Sequence, residues 1–166
     1  MPADPVDSSV FRAVMSRFAT GVTVATTYLG GRRLGITVNA FASASLDPPL
    51  VLICLEKASH VHDAFVESGI FAVNFLTSDQ EELSACFASN SDCRFNEFCR
   101  AASHTEATGA PVLDESLGFV DCRIEHVYDG GDHDILLGRV VALGHSQGRP
   151  LLYYRSQYVH PGDKLP

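Results

Sequence analysis

Polar side chains recur at short intervals within GITVNAFASASLDPPL, an otherwise small and apolar stretch at residues 35–50. If this stretch is extended, alternation places one set of side chains on a common face: Thr37, Asn39, Phe41, Ser43 and Ser45. Between them, Ala42 and Ala44 leave room for a ligand to approach the backbone. Hydroxyls, an amide and an aromatic ring in a row suit a flat heteroaromatic ligand with polar edges. The alternative is an edge strand whose polar residues are solvated, and the pattern alone favours neither.

Histidines and cysteines are the other residues that could take part in chemistry. His60 and His62 lie two apart, so on a helix they point to different faces, and a solvated helix start is favoured over a metal site. The five cysteines form no C-x-x-C pair and follow no secretion signal. We therefore expect neither disulfides nor a zinc site. Cys54, on an apolar strand, is interpreted as a small core residue rather than a redox centre.

Several familiar active sites are excluded by their missing motifs. The sequence has no G-x-G-x-x-G after a strand, no P-loop, no H-E-x-x-H and no G-x-S-x-G. These absences argue against a Rossmann dinucleotide site, a nucleoside-triphosphatase, a zinc protease and a serine hydrolase elbow.

Composition limits the partners. The chain has 166 residues, so we expect one domain spanning residues 1–166. It is 46% hydrophobic and only 19% charged, which favours an oligomer. A net charge of -8 argues against binding to nucleic acid or an anionic membrane. The start of the chain lacks the apolar core of a signal peptide, and the longest apolar run, LVLICL, is too short to span a bilayer, so a cytoplasmic protein is expected.

The elements that must position these residues are mostly strands. Helices are predicted from Ser8 or Ser9 as cap through Phe18, over 59–69 and over 78–89, with an irregular segment at 89–118. Strands are predicted at 22–28, 34–41, 50–56, 70–76, 119–129, 133–146 and 150–155. Strands and helices do not alternate, so we expect a mainly β protein, an antiparallel barrel or sandwich with flanking helices.

Five segments in order resemble the flavin reductase family, and together they cover nearly the whole chain. They are FRAVMSRFATGVTVATT, GITVNAFASASLDPPLVLICLEKASHVHDAF, DCRFNE, YDGGDHDILLGRVV and PLLYYRSQY. The resemblance implies a split β-barrel of the FMN-binding type and a homodimer. It also implies reduction of FMN or FAD by NADH or NADPH, with reduced flavin passing to a partner flavin-dependent monooxygenase.

The same resemblance assigns roles to matching residues. Those expected to line the flavin ring and ribityl chain are Thr37, Val38 and Asn39, with Ser43 and Ser45 near the ribityl-phosphate. Those expected near the flavin tail are Glu56, Lys57 and Ser59. The pair Arg94 and Phe95 is expected to contribute to the flavin site. Those expected at the nicotinamide nucleotide are His133, Tyr153, Tyr154 and Arg155. Both ligands are anionic and the chain is acidic, so Lys57, Arg94 and Arg155 are the expected local cations.

Some features depart from the family pattern or stay open. Ala42 and Ala44 stand where relatives often have Thr or Val, and Ser156 where Gly is common. Selection of NADPH would require an arginine at the 2′-phosphate, for which Arg32, Arg33 and Arg155 are candidates. Two rival functions share the barrel: a non-catalytic flavin carrier, and an oxidase of the pyridoxamine-phosphate-oxidase type that retains its FMN.

Overall fold

The computed structural model describes residues 6–162, and β-strand is its main secondary structure. The strands are β1 (Thr20–Gly21), β2 (Thr23–Leu29), β3 (Arg32–Val38), β4 (Phe41–Leu46), β5 (Pro49–Glu56), β6 (Ile70–Phe75), β7 (Ser103–Thr105), β8 (Pro111–Leu113), β9 (Gly118–Gly130), β10 (His133–His145), β11 (Leu152–Tyr154) and β12 (Gln157–Val159). Seven of them form one antiparallel sheet in the order β3–β2–β6–β9–β10–β5–β4. β1, β11 and β12 form a smaller sheet, and β7 pairs with β8.

The large sheet curls so that β3 approaches β5 without joining it in a hydrogen-bonded ladder. The long hairpin of β9 and β10 carries register shifts at Leu137/Gly138 and Val140/Ala142, and such bulges bend and twist strands. The space inside is filled by side chains from β2, β5, β6 and β10, among them Ala25, Ile53 and Leu136. The predicted mainly antiparallel β architecture with flanking helices is thus confirmed.

Four α-helices lie outside the sheet in the described residues: α1 (Ser8–Met15), α2 (His62–Ser68), α3 (Glu81–Ala88) and α4 (Asp92–Glu97). Short 3-10 turns occupy Ser78–Gln80 and Phe98–Arg100. A second core lies beneath α3 and the second turn, where Val24, Phe87 and Phe98 pack together. No helix within residues 6–162 is long and apolar enough to cross a membrane.

α1 begins and ends differently from the prediction. Asp7, rather than Ser8 or Ser9, is its cap and accepts hydrogen bonds from the backbone N–H groups of Ser9 and Val10. The hydrogen bond from the Ser9 hydroxyl is the largest cause of the lowered pKa of Asp7, and the two backbone bonds add to it. The helix ends at Met15 instead of continuing through Phe18, because the following residues tighten into i→i+3 turns. The carbonyl of Ser16 then accepts from the Arg155 N–H at 2.8 Å, which ties this end to β11.

The segment from 89 to 118, predicted to be irregular, contains α4, a 3-10 turn and the β7–β8 pair. Its least expected feature is a left-handed turn in which Phe98, Cys99 and Arg100 have φ of 51°, 52° and 54°. This conformation is unfavourable for residues other than glycine. It brings Cys99 to Cys86, and the two form a disulfide. The expectation of no disulfides was therefore wrong, because folding, not sequence spacing, joins these two thiols.

The polar and apolar stretch at residues 35–50 does not form one strand. β3 ends at Val38, where its partner is β2, and β4 begins at Phe41 with β5 as its partner. Asn39 and Ala40 lie at the change of partner, and the Ala40 carbonyl accepts from the Cys54 N–H at 3.1 Å. The predicted break at 47–49 is the tight turn between β4 and β5.

Candidate functional site

A groove of about 860 Å³ opens where β3 gives way to β4. One wall comes from the segment after α1, and the floor comes from β4 and β5. The principal lining residues are Met15, Phe18, Thr20, Asn39, Ala40, Phe41, Ala42, Leu52, Cys54, Phe75, Leu117 and Pro150. Such a mostly apolar concavity with few polar groups is typical of small-molecule sites.

Cross-strand pairing shows what shares the groove face. Ala42 pairs with Leu52, and Leu52, Cys54 and Glu56 alternate onto one side of β5. His133 pairs directly with Glu56, so its side chain points to the same side of the sheet. The groove floor therefore leads along β5 towards Glu56 and His133.

The side chains predicted to form one polar strip do not all face the groove. Val38 is buried in the core at 6% exposure, and its side chain does not line the groove. Phe41 packs against Phe75 with ring centroids 5.3 Å apart. Ser43 pairs with the buried Val51 and so faces away from the groove, and the register shift before Ser45 breaks the expected parity. The continuous strip was wrong because the strand changes partner and then bulges.

Polar atoms nevertheless reach the groove from its rim. Thr20 Oγ1 is a buried atom without a hydrogen-bond partner among the described residues, and Thr20 lines the groove. The neighbouring Thr23 is satisfied, because its hydroxyl donates to the Val38 carbonyl at 2.6 Å. Asn39 is exposed and also lines the groove. Its amide can therefore receive the polar edge of a bound ring, and the unsatisfied Thr20 hydroxyl can do so if it rotates into the groove.

A smaller cavity of about 200 Å³ adjoins the groove at Asn39. Thr37 lines it, but the Thr37 hydroxyl donates to the Ser84 carbonyl at 2.6 Å and is already used. Tyr153 lies on the other side, its ring 5.6 Å from that of Tyr158. Tyr154 and Arg155 follow at the β11–β12 turn, where Arg155 has φ of 50°.

The turn between β9 and β10 collects the charged residues of the predicted site. Lys57 forms an ion pair with Asp129, lies 3.5 Å from Asp134, and donates to the Gly131 carbonyl at 2.8 Å. The hydrogen bond to Asp129 is the largest cause of the raised pKa of Lys57. His133 Nδ1 lies 2.8 Å from Asp132 Oδ1. Lys57 is therefore committed to the protein's own carboxylates.

Arg94 and Phe95 lie elsewhere, on α4. Arg94 is only 4% exposed and donates to the carbonyls of Gly35 at 3.0 Å and Ser89 at 2.8 Å. Its Nη2 has no partner among the described residues, and burial lowers its pKa. Phe95 lines a second open cleft of about 770 Å³, together with Arg32 and His60. Ser59 precedes this cleft, where its N–H donates to the Glu56 carbonyl at 3.0 Å.

Most of the predicted site residues are thus distributed over four places rather than one strip. Asn39 is in the groove, Thr37 and Tyr153 are in the small cavity, and Phe95 is in the second cleft. The charged set, Glu56, Lys57 and His133, lies at the end of the groove face. Sequence reasoning missed Thr20 and treated Cys54 only as core. The A-T-G-V-T-V segment already belonged to the resemblance and could have directed attention to Thr20.

The groove suits a flavin on grounds of shape and chemistry. Small side chains at Ala40 and Ala42 let a flat ring approach the strands, and the Thr20 hydroxyl offers an unused hydrogen-bonding atom. Cys54 is a poor nucleophile here, because burial raises the pKa of its thiol. The groove can therefore bind and orient an aromatic ligand without supplying a covalent nucleophile.

Comparison with known proteins identifies the family. Residues 15–162 match the family model described as "Flavin reductase like domain". The chain is 41% identical to the reductase subunit HsaB of a flavin-dependent monooxygenase from Rhodococcus jostii (strain RHA1), over 99% of this chain and 84% of that protein. It is 40% identical to the FMN reductase (NADH) SmoA of Agrobacterium fabrum (strain C58 / ATCC 33970), over 89% and 82%. The NADH:FAD oxidoreductase SgcE6 of Streptomyces globisporus C-1027, solved with NAD and FAD fragments, superposes with a TM-score of 0.85 at 34% identity, covering 98% of this chain and 100% of that one.

Proposed function

Because the chain belongs to the flavin reductase family, we propose that it uses a reduced nicotinamide nucleotide to reduce FMN or FAD, which then leaves for a partner monooxygenase. The fold is the predicted split β-barrel. The transfer of a hydride from nicotinamide C4 to flavin N5 is chemistry that the flavin itself supplies. The protein's contribution is to bind both rings face to face and to keep water away from them.

The observation that carries this proposal is the groove floor formed by Ala40 and Ala42, with Thr20 Oγ1 unsatisfied beside it. We propose that the isoalloxazine lies on this floor and that Thr20 and Asn39 bind its polar edge. His133, on the same face beyond Glu56, then contacts the nicotinamide nucleotide. Met15 and Phe18 form a wall that excludes water.

The remaining predicted residues take roles at the edges of this arrangement. We propose that Ser45 and Ser59 serve the flavin tail, and that Tyr153, Tyr154 and Arg155 serve the nucleotide. Arg94 acts by positioning Phe95 and β3. Ser43 and Val38 have no role towards the ligand in this proposal, because their side chains face away from the groove or into the core.

NADH is the proposed electron donor. Two of the three arginines that could recognise a 2′-phosphate are engaged away from the groove: Arg32 donates to the Phe95 carbonyl at 3.0 Å, and Arg33 donates to Ser103 Oγ at 3.0 Å. Two of the compared relatives carry NADH in their names. The same two names differ between FMN and FAD, so we propose that either flavin is accepted.

We propose a homodimer because the apolar side of α1 is exposed in the single chain. Val10, Phe11, Val14 and Met15 are between 49% and 63% exposed in the single chain, although they form the apolar side of an amphipathic helix. A second copy would cover this side. Met15 also lines the groove, so dimer formation would complete the wall of the site. We place the enzyme in the cytoplasm, where NADH and a partner monooxygenase are both available.

Steady-state kinetics test the function directly. NADH and NADPH oxidation are measured with FMN, FAD or riboflavin added to flavin-free protein. We expect oxidation that requires added flavin and prefers NADH. Tight flavin binding without turnover would identify a carrier, and stoichiometric flavin that reacts with oxygen would identify an oxidase. Either result overturns the proposal.

A variant pair tests the groove. Thr20→Val removes the unsatisfied hydroxyl at nearly constant volume, and we expect the KM for flavin to rise about fivefold, the value of one hydrogen bond. Thr20→Ser should restore it. Thr105→Val, an exposed change on β7, is the matched control and should leave the KM unchanged. Equal effects from both Val substitutions would place the flavin elsewhere.

A further inference from the structure

His62 has an arrangement that the solvated helix start predicted from the sequence does not explain. It is 8% exposed at the first turn of α2. Its Nδ1 lies 2.9 Å from Asp63 Oδ1, and its Nε2 lies 2.9 Å from Asp134 Oδ2. Asp63 is fully exposed, whereas the side chain of Asp134 is 17% exposed. The buried half of this contact therefore joins α2 to β10.

The geometry indicates a charged imidazole. An ionised carboxylate can only accept hydrogen bonds, so both ring nitrogens must carry a proton to satisfy both contacts. The charged groups around His62 come from every adjoining element: Asp63 on α2, Asp134 on β10, Lys57 after β5 and Asp129 on β9. Loss of one proton removes one donor and leaves a carboxylate without its cation.

Asp134 transmits this contact to the turn that carries His133. While one Asp134 oxygen meets His62, the other lies 3.5 Å from Lys57 Nζ. Lys57 in turn holds both sides of the turn, through Asp129 and the Gly131 carbonyl. The backbone N–H of Lys57 also donates to the Asp132 carbonyl at 3.0 Å. His62, Asp134 and Lys57 thus form a chain of contacts that ends one residue from His133.

We propose that protonated His62 is a positioning residue for nicotinamide nucleotide binding. It holds Asp134 and Lys57 so that the 129–133 turn presents His133 at the end of the groove face. The proposal rests on the reductase function inferred above. It makes NADH affinity depend on the contact between the imidazole and Asp134. Removing that contact should loosen the turn and raise the KM for NADH.

The first test needs neither turnover nor flavin. Hydrogen–deuterium exchange is compared for His62→Gln and wild-type protein, after matching circular dichroism spectra show that both are folded. Glutamine keeps a neutral donor but cannot be charged. We expect faster exchange in peptides covering 129–134, with little change in β4. His104→Gln is the matched control, because His104 also lies between two carboxylates, Asp114 and Glu106, on a different sheet. Unchanged exchange of the turn in His62→Gln would overturn the proposal.

The second test is the steady-state kinetics of NADH oxidation at one fixed pH. The KM for NADH of His62→Gln should exceed the wild-type value roughly three- to tenfold, with kcat changed far less. His104→Gln should leave the KM unchanged, and His133 is present in all three proteins, so the difference isolates His62. An unchanged KM in His62→Gln would refute the positioning role, whereas a wild-type protein with no flavin-dependent turnover would refute the reductase function itself.

Discussion

Lys57 and Arg94 are two of the three cations predicted from the sequence to serve the anionic ligands, and their surroundings in the structure are opposite. Lys57 lies near the surface with its ammonium among Asp129, Asp134 and the Gly131 carbonyl. Arg94 is buried and meets no carboxylate within the described residues; its contacts are the carbonyls of Gly35 and Ser89. One charge is neutralised locally, and the other is not.

This difference separates two tasks that a sequence motif does not distinguish. Lys57 organises a surface turn through ion pairs that solvent screens. Arg94 joins α4 to β3 at Gly35. An added Cβ at Gly35 would lie 2.6 Å from the Phe87 ring, so no side chain fits there between β3 and α3. Arg94 therefore supports the strand that leads to Asn39. The comparison predicts a stability role for Arg94 and a kinetic role for Lys57.

Arg94→Ala is the change with the largest expected effect. It leaves the carbonyls of Gly35 and Ser89 without their donors in a buried setting, which should lower the free energy of unfolding by about 4 kcal/mol. Denaturant unfolding measures the loss. Arg139→Ala, which removes an exposed arginine paired with Glu125, should cost little and serves as the control. A small loss for Arg94→Ala would mean that water replaces its hydrogen bonds to the two carbonyls.

The disulfide joins α3 to the 3-10 turn after α4, in the same region as Arg94. No disulfide lies near Lys57 in the part of the chain that the structure describes. Cys86 and Cys99 are 13 residues apart, and closing a loop of this size stabilises a protein by about 3 kcal/mol. The double variant Cys86→Ser/Cys99→Ser should lose about that much in urea unfolding. Cys93→Ser, a free thiol in the same segment, should not. Equal stability of the double variant would show that the pair contributes nothing to the folded state.

Sequence reasoning succeeded where the structure is determined locally. The β-branched run at 22–28 predicted β2, and the proline pair predicted the turn before β5. It failed at Asn39, because the end of β3 depends on a change of partner strand that no local pattern records. It also failed at Phe98–Arg100, since non-glycine residues rarely adopt positive φ and only tertiary packing and the disulfide hold them there. The assignment of individual residues to flavin or nucleotide stays a prediction.

Lys57→Met tests the kinetic role predicted for Lys57. Because the Lys57 pairs are exposed, the unfolding midpoint should hardly change. The KM for NADH should rise roughly threefold, because the turn that carries His133 loses its central contact. Lys57→Arg should retain part of the wild-type affinity for NADH. High salt should reduce the difference in KM between Lys57→Met and wild type. A loss of flavin affinity with unchanged NADH affinity would instead return Lys57 to the flavin tail.

The smallest expected effect is on how the stability of Lys57→Met and Arg94→Ala, relative to wild type, changes in acid. The hydrogen bond from Lys57 lowers the pKa of Asp129 below its usual 3.8, and the bond from His133 does the same for Asp132. A lowered folded-state pKa stabilises the protein above the unfolded value, and this contribution disappears as the pH falls through the folded value. The stability difference between wild type and Lys57→Met should therefore be constant above about pH 5 and shrink under stronger acid, which leaves only the part due to the Gly131 carbonyl. The deficit of Arg94→Ala should persist across that range, because its partners are carbonyls that do not titrate; a Lys57 deficit that also persisted would show that Asp129 is not the group it stabilises.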